Sequence, residues 1–154
     1  MTFDIPYYIH KCAPHVAQNT MQAIIQTESK GNALALGLNR GFHLVYQAKN
    51  YNQAKAWVRY LEKHRYNFDI GLTQVNIKNV HKYGYTGVEA LDPCVNLKIS
   101  AHILAQNYNS ALYSSYNQQD ALLKAISAYN TGNNQSGFQN GYVARVVYNA
   151  TYNR

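Results

Sequence analysis

Apolar residues recur three and four positions apart in several separate stretches of this chain, and each stretch is cut short by Gly, Asn or Pro. Such a pattern confines the fold to packed helices of modest length. Asn19 or Thr20 can cap a helix carrying Met21, Ile24 and Ile25, which runs to about Ser29 and is stopped by Lys30-Gly31-Asn32. Ala54, Trp57, Val58 and Leu61 mark a second helix, with Lys55, Arg59, Glu62 and Lys63 on its other face, ending near His64. Gln74 to Lys82 holds Val75, Asn79 and Val80 at weaker helical spacing before the turn-rich Tyr83-Gly84-Tyr85-Thr86-Gly87. Asp92 or Pro93 opens a longer helix through Val95, Ile99 and Ile103. Asp120 to Tyr129 and Gly141 to Tyr148 predict two more. Between the first two helices, Leu34 to Leu38 and His43 to Tyr46 flank Asn39-Arg40-Gly41 as the arms of a short hairpin would. The expected class is α+β, mainly helical with a small β element.

Residues 1–154 fit a single domain, because one core usually serves about 100–200 residues. A hydrophobic content of 47% with 13% aromatics excludes a disordered chain. The apolar stretches, such as Ala121 to Ala128, are broken by Lys124 and Ser127 and fall well short of the roughly 20 residues that span a bilayer, so no membrane span is expected. Met1-Thr2-Phe3-Asp4-Ile5-Pro6 holds neither a basic n-region nor an apolar h-region, which leaves either a cytosolic protein or one whose leader has been removed. Cys12 and Cys94 form one candidate pair. If bonded, they suit an oxidising compartment such as the periplasm; the alternative is two buried free thiols. The net charge of +7 favours anionic partners, nucleic acid and cell wall alike. Lysines and arginines are scattered without a run of five, which argues against a nucleic-acid arm.

Acid/base chemistry must draw on seven residues: Asp4, Glu28, Glu62, Asp69, Glu89, Asp92 and Asp120. Glu28 follows Met21, Ile24 and Ile25 by seven, four and three positions, which puts a carboxyl group on or beside the buried stripe of its helix. Burial favours the neutral acid, the form needed to protonate a glycosidic oxygen. The alternative is a carboxylate that caps or pairs at a helix end. Asp92 reads as an N-cap, Glu62 as part of a charged face, and Asp69 as a turn former or an electrostatic aid. The six histidines lack the paired spacing of a zinc site, so neither a metal nor another cofactor is expected. No phosphate-cradling loop and no Gly-x-Ser-x-Gly occurs.

Glu28-Ser29, Gly71-Leu72-Thr73-Gln74-Val75-Asn76, Ala128-Tyr129-Asn130-Thr131-Gly132 and Gly141-Tyr142-Val143-Ala144-Arg145-Val146 resemble, in order, the four motifs of soluble-type lytic transglycosylases. Cys12-Ala13-Pro14 and Asp92-Pro93-Cys94 are similar to elements of the small transglycosylases that accompany type IV secretion and conjugation machines. The resemblance implies a lysozyme-like fold, peptidoglycan glycan strands as substrate, secretion-apparatus proteins as partners, and Glu28 as the sole acid/base; a periplasmic location with the leader removed, and a monomer, are the accompanying expectations. It also implies substrate contacts from Ser29, Gly71, Gln74, Asn76, Tyr129, Asn130 and Tyr142, with the Tyr129 phenol able to reach Glu28. Thr73 stands where the family's second motif often carries Met. Rival readings are a goose-type hydrolase that uses water, a noncatalytic wall-docking subunit, and a basic nucleic-acid-binding domain.

Overall fold

The computed structural model describes residues 4–153. Met1, Thr2 and Phe3 of the stretch read for a leader, and Arg154, lie outside the described residues. Helices α1 (Ile5–Cys12), α2 (Gln18–Ser29), α3 (Tyr51–Lys63), α4 (Ile77–Lys82), α5 (Pro93–Leu112), α6 (Gln118–Thr131), α7 (Ser136–Gln139) and α8 (Tyr142–Tyr152) surround a small antiparallel sheet of β1 (Leu36–Leu38), β2 (Phe68–Ile70) and β3 (Val75–Asn76). β2 lies in the middle, with Leu36 opposite Ile70, Leu38 opposite Phe68, and Ile70 opposite Val75.

The expected hairpin does not form. Leu36 to Leu38 is a strand, but its partner is β2 and not His43 to Tyr46, which is irregular. A side chain explains how the loop serves without being a strand. The Gln47 amide accepts from the Leu36 N–H at 3.0 Å and donates to the Leu36 carbonyl at 2.8 Å, satisfying the backbone groups that a strand would have met. The helix predicted over Gln74 to Lys82 starts later, at Ile77, because Val75 and Asn76 first pair with β2. The Asn76 side chain then caps α4 by accepting from the Lys78 N–H.

Other helix starts also moved. Ala17, and neither Asn19 nor Thr20, occupies the N-cap of α2 and supplies no side-chain bond. Asn117 caps α6, leaving Asp120 to accept from the Tyr116 N–H and pair with Lys124 at 3.1 Å. Gly141 precedes α8 with φ 84, and the helix runs on to Tyr152. Helix α1 was missed, although its signal was present: Asp4 accepts from the Tyr7 N–H and Pro6 occupies the first turn. Asp92 does cap α5, and Lys30 closes α2 in the left-handed conformation.

Three apolar clusters share the long helix α5. One joins α3, α4 and the sheet through Val58, Leu61, Phe68, Ile70 and Ile99. A second joins α1, α2 and α5 through Ile9, Met21, Ile25 and Leu97. The third seats α8 against α2 and α6 through Ile24, Leu104, Ile126 and Tyr142. Because α2 packs in two clusters, its last turn is held from both sides.

The Cys12–Cys94 disulfide ties the end of α1 to the start of α5 across 82 residues, with the Cα atoms 5.3 Å apart. Closing a loop of that length removes about 4–5 kcal/mol of chain entropy from the unfolded state. Cys12→Ser/Cys94→Ser is expected to lower unfolding stability by up to about that amount. A chemical-denaturation midpoint equal to that of the wild type would contradict this.

Candidate active site

Met21, Ile24 and Ile25 are buried, and the same helical face delivers Glu28 into the wall of a cleft of about 490 Å³. Glu28 is partly buried in the last turn of α2. Loss of water around the carboxyl pushes its pKa up to about 7, with the negative charge of Asp69 adding to the rise. The Tyr142 hydroxyl donates to Glu28 Oε2 at 2.8 Å and opposes the shift, as does the more distant charge of Arg145. The carboxyl also sits at the negative end of the α2 dipole, where an anion is least welcome. A carboxyl that keeps much of its proton near neutral pH is the physical outcome.

The turn that faces Glu28 is built from inside. The Ser29 hydroxyl donates to the Leu72 carbonyl at 2.7 Å, fastening α2 to the turn after β2. The Tyr129 hydroxyl donates to the Thr73 carbonyl at 2.7 Å, fastening α6 to the same turn. This corrects the expected Tyr129 contact with Glu28, which Tyr142 makes instead. Thr73 is fully buried, and both its hydroxyl and its N–H donate to Asn96 Oδ1, at 2.6 and 3.0 Å. A Met there would leave that amide oxygen short of a donor. Gly71 has φ +78, and a Cβ on it would lie 2.6 Å from Asn96 Nδ2. The close approach of Asn96 by itself requires glycine at this position. Gln74, also at positive φ, folds its amide back to donate to the Ala35 and Gly71 carbonyls.

Among the expected site residues, Glu28, Asp69, Gln74, Asn76, Tyr129 and Asn130 line the cleft, whereas Ser29, Gly71 and Tyr142 stand behind it. Asn76 Nδ2 donates to Asp69 Oδ1 at 2.9 Å and to Asn67 Oδ1 at 2.7 Å, and Asn39 Nδ2 donates to Asn67 Oδ1 at 2.7 Å. Burial raises the Asp69 pKa, and the amides of Asn76 and Asn39 pull it back. Asn130 accepts from Asn140 at the rim. Sequence reasoning missed Asn39, Asn67, Asn79, Tyr83 and Gln106 in the cleft lining. Only Asn79 carried a local signal, three positions beyond Asn76; Tyr83 and Gln106, joined by a 3.0 Å hydrogen bond, come from separate helical segments. Among the described residues, no three His, Cys, Asp or Glu side chains gather as metal ligands would.

The family of the Transglycosylase SLT domain matches residues 8–150, which takes in both the cleft and the disulfide. The chain belongs to that family. The fold of this SLT domain is therefore lysozyme-like, mainly helical with a small three-stranded sheet. The chain is 40% identical over 154 aligned positions to the type IV secretion system protein virB1 of Brucella abortus (strain 2308), covering 95% of this chain and 64% of that protein. Against protein virB1 of Agrobacterium fabrum (strain C58) the identity is 39% over 142 positions, covering 90% and 56%. The SLT chain thus spans less than two thirds of the length of the curated relatives it matches.

Two outcomes follow from the Glu28 environment. Tyr142→Phe removes a donor to the carboxylate, so the Glu28 pKa should rise above about 7, readable by carbon NMR of a selectively labelled carboxyl. A pKa held higher in the folded than in the unfolded state stabilises the fold fully below the ordinary value of 4.5, and that contribution is lost as pH climbs through about 7. Glu28→Gln escapes the loss. It should be more stable than the wild type by roughly 1–3 kcal/mol at pH 8, with the gap closing by pH 4. Parallel thermal melts at the two pH values measure this, and a gap that does not change with pH would refute the buried-acid account.

Proposed function

We propose that this chain is the catalytic domain, residues 1–154, of a peptidoglycan lytic transglycosylase. It cleaves the β-1,4 bond from N-acetylmuramic acid to N-acetylglucosamine, acting as a monomer in the periplasm to open the wall locally for a secretion or conjugation apparatus. The observation that carries the reading is a carboxyl group whose pKa is raised to about 7, so that much of it keeps its proton near neutral pH, in the wall of a cleft rich in asparagine and glutamine amides. Membership of the SLT family and kinship with the virB1 proteins support the substrate and the setting. The disulfide suits an oxidising compartment.

In this mechanism the Glu28 carboxyl gives its proton to the glycosidic oxygen as the bond to the muramic acid C1 breaks. The resulting carboxylate takes the proton from the C6 hydroxyl of the same sugar, whose oxygen closes on C1. The products are a 1,6-anhydro end and a free N-acetylglucosamine hydroxyl, and Glu28 is left protonated for the next cycle. No water is consumed. Tyr142 holds Glu28 in place through both protonation states, and Asp69 offers negative charge across the cleft to the developing oxocarbenium ion.

Asp69 also favours a second reading. Two carboxylates in one cleft could act as acid and base on water, the usual hydrolase arrangement. Mass spectrometry of the muropeptides released from purified peptidoglycan decides between them: anhydro ends mean transglycosylation, and reducing ends mean hydrolysis. The expected result is anhydro products from the wild type and, from Glu28→Gln, a rate lower by a factor on the order of 10³ or more. Activity should fall as pH rises past about 7 and the acid ionises. Release by neither protein would leave a wall-docking role.

A further inference from the structure

We propose that a cationic hollow beside the cleft is a docking site for the carboxylates of the peptide stems borne by the glycan strand. Arg40 in the turn after β1, Arg65 just past α3 and Lys78 in α4 line a hollow of about 350 Å³, together with Glu62, Tyr66 and His81. Asn67 belongs to the walls of both the hollow and the cleft, so the two adjoin across a single residue. The identity of the ligand rests on the transglycosylase reading; the existence of an anion site rests on the hollow itself.

Three observations point the same way. The first is unbalanced charge. Glu62 is the hollow's single acid, and His81 Nε2 occupies its carboxylate at 3.1 Å. The ion pairs among the described residues are that contact and Lys124–Asp120, so Arg40, Arg65 and Lys78 have no carboxylate partner. Like charges gathered in this way repel one another until an anion enters. The second is the backbone. The turn after β1 and the left-handed turn that closes α3 carry Arg40 and Arg65, distant in sequence, to the wall of one hollow. The third is segregation of charge between the two cavities. The cleft carries Glu28 and Asp69 against one cation, Lys82, and is otherwise uncharged. A neutral sugar backbone suits it, while an anionic side branch meets the negative charge of Asp69 there and finds three cations next door.

The cations of the hollow suit an oxyanion, and its aromatic wall favours one borne on an aliphatic stem, as a peptide carboxylate is. Two guanidinium forks can each take a carboxylate through paired N–H donors, and Lys78 adds a point charge. The Tyr66 ring, met edge-on by Phe42 at 5.5 Å between centroids, gives an apolar wall for the aliphatic part of an amino acid. Stem peptides supply both features on one branch of the same polymer.

The test has two arms. In the first, the wild-type protein is titrated with the free stem peptide L-alanyl-γ-D-glutamyl-diaminopimelic acid and, separately, with inorganic phosphate, following backbone amide shifts. Saturable shifts around Arg40, Arg65 and Lys78 are expected with the peptide, with affinity on the order of tenfold weaker in Arg40→Gln/Arg65→Gln and partly regained in Arg40→Lys/Arg65→Lys. Equal affinity for phosphate, or an unchanged affinity in the Gln double variant, would overturn the proposal. In the second arm, KM is compared on glycan strands with stems and on strands stripped of them by an amidase, which leaves the lactyl carboxylate in place. The wild type should favour stem-bearing strands by roughly tenfold, and the Gln double variant should lose that preference. A wild type indifferent to the stems would overturn the proposal. Failure of the wild type to cleave either substrate would instead remove the transglycosylase reading, and the peptide titration would still decide the hollow.

Discussion

The amide of Asn96 is the interaction on which the rest of the site hangs. It is fully buried in the first turn of α5, and each of its four hydrogen-bonding positions is used. Nδ2 donates to the carbonyls of Ile70 and Ala90 at 2.8 and 2.9 Å, while Oδ1 accepts from the N–H and hydroxyl of Thr73. In a dry interior a side-chain amide satisfied at every valence fixes its partners far more firmly than the same bonds would at the surface. The partners are the end of β2, the turn after it, and Ala90 just ahead of α5. From that turn, Leu72 takes the hydroxyl of Ser29 and Thr73 takes the hydroxyl of Tyr129, so the ends of α2 and α6 are positioned by a group that touches neither the cleft nor the carboxylate.

The protonation state of Glu28 is a consequence of that scaffold more than of its own neighbours. Once α2 is clamped between two apolar clusters, its last turn cannot swing the carboxyl out to water. Desolvation then favours the neutral acid, and the Tyr142 hydroxyl restrains the shift by bonding one oxygen. Tyr142 is itself almost wholly buried on α8, and burial holds its own proton firmly in place. It can therefore donate to Glu28 but not exchange roles with it. The hydroxyls of Ser29 and Tyr129 hold the architecture by bonding the turn after β2, while the Tyr129 side chain also lines the cleft beside many asparagine and glutamine amides.

The legible part of this protein was the part governed by local periodicity. The apolar spacing before Glu28 placed that residue at the end of a half-buried helix, and Asp92-Pro93 and Lys30-Gly31 marked real helix boundaries. The hairpin failed because strand pairing is decided by which segments meet in space. Leu36 to Leu38 found β2 some thirty residues on, and a single Gln47 side chain answered its outer edge. Asn39 and Asn67 were invisible for the same reason, since neither has a neighbour in sequence that suggests a shared wall.

The sequence by itself determined the helical class, the seven acids from which chemistry must be drawn, and the carboxyl on an apolar helical face, because each depends on residue type and spacing along one element. Only the tertiary structure decided that Tyr142 bonds Glu28, that Asn96 holds the turn, and that Arg40, Arg65 and Lys78, scattered along the chain, converge beside the cleft. Hydrogen bonds and charge interactions act over a few ångströms of space. Distance in sequence does not fix that separation until the helices have packed.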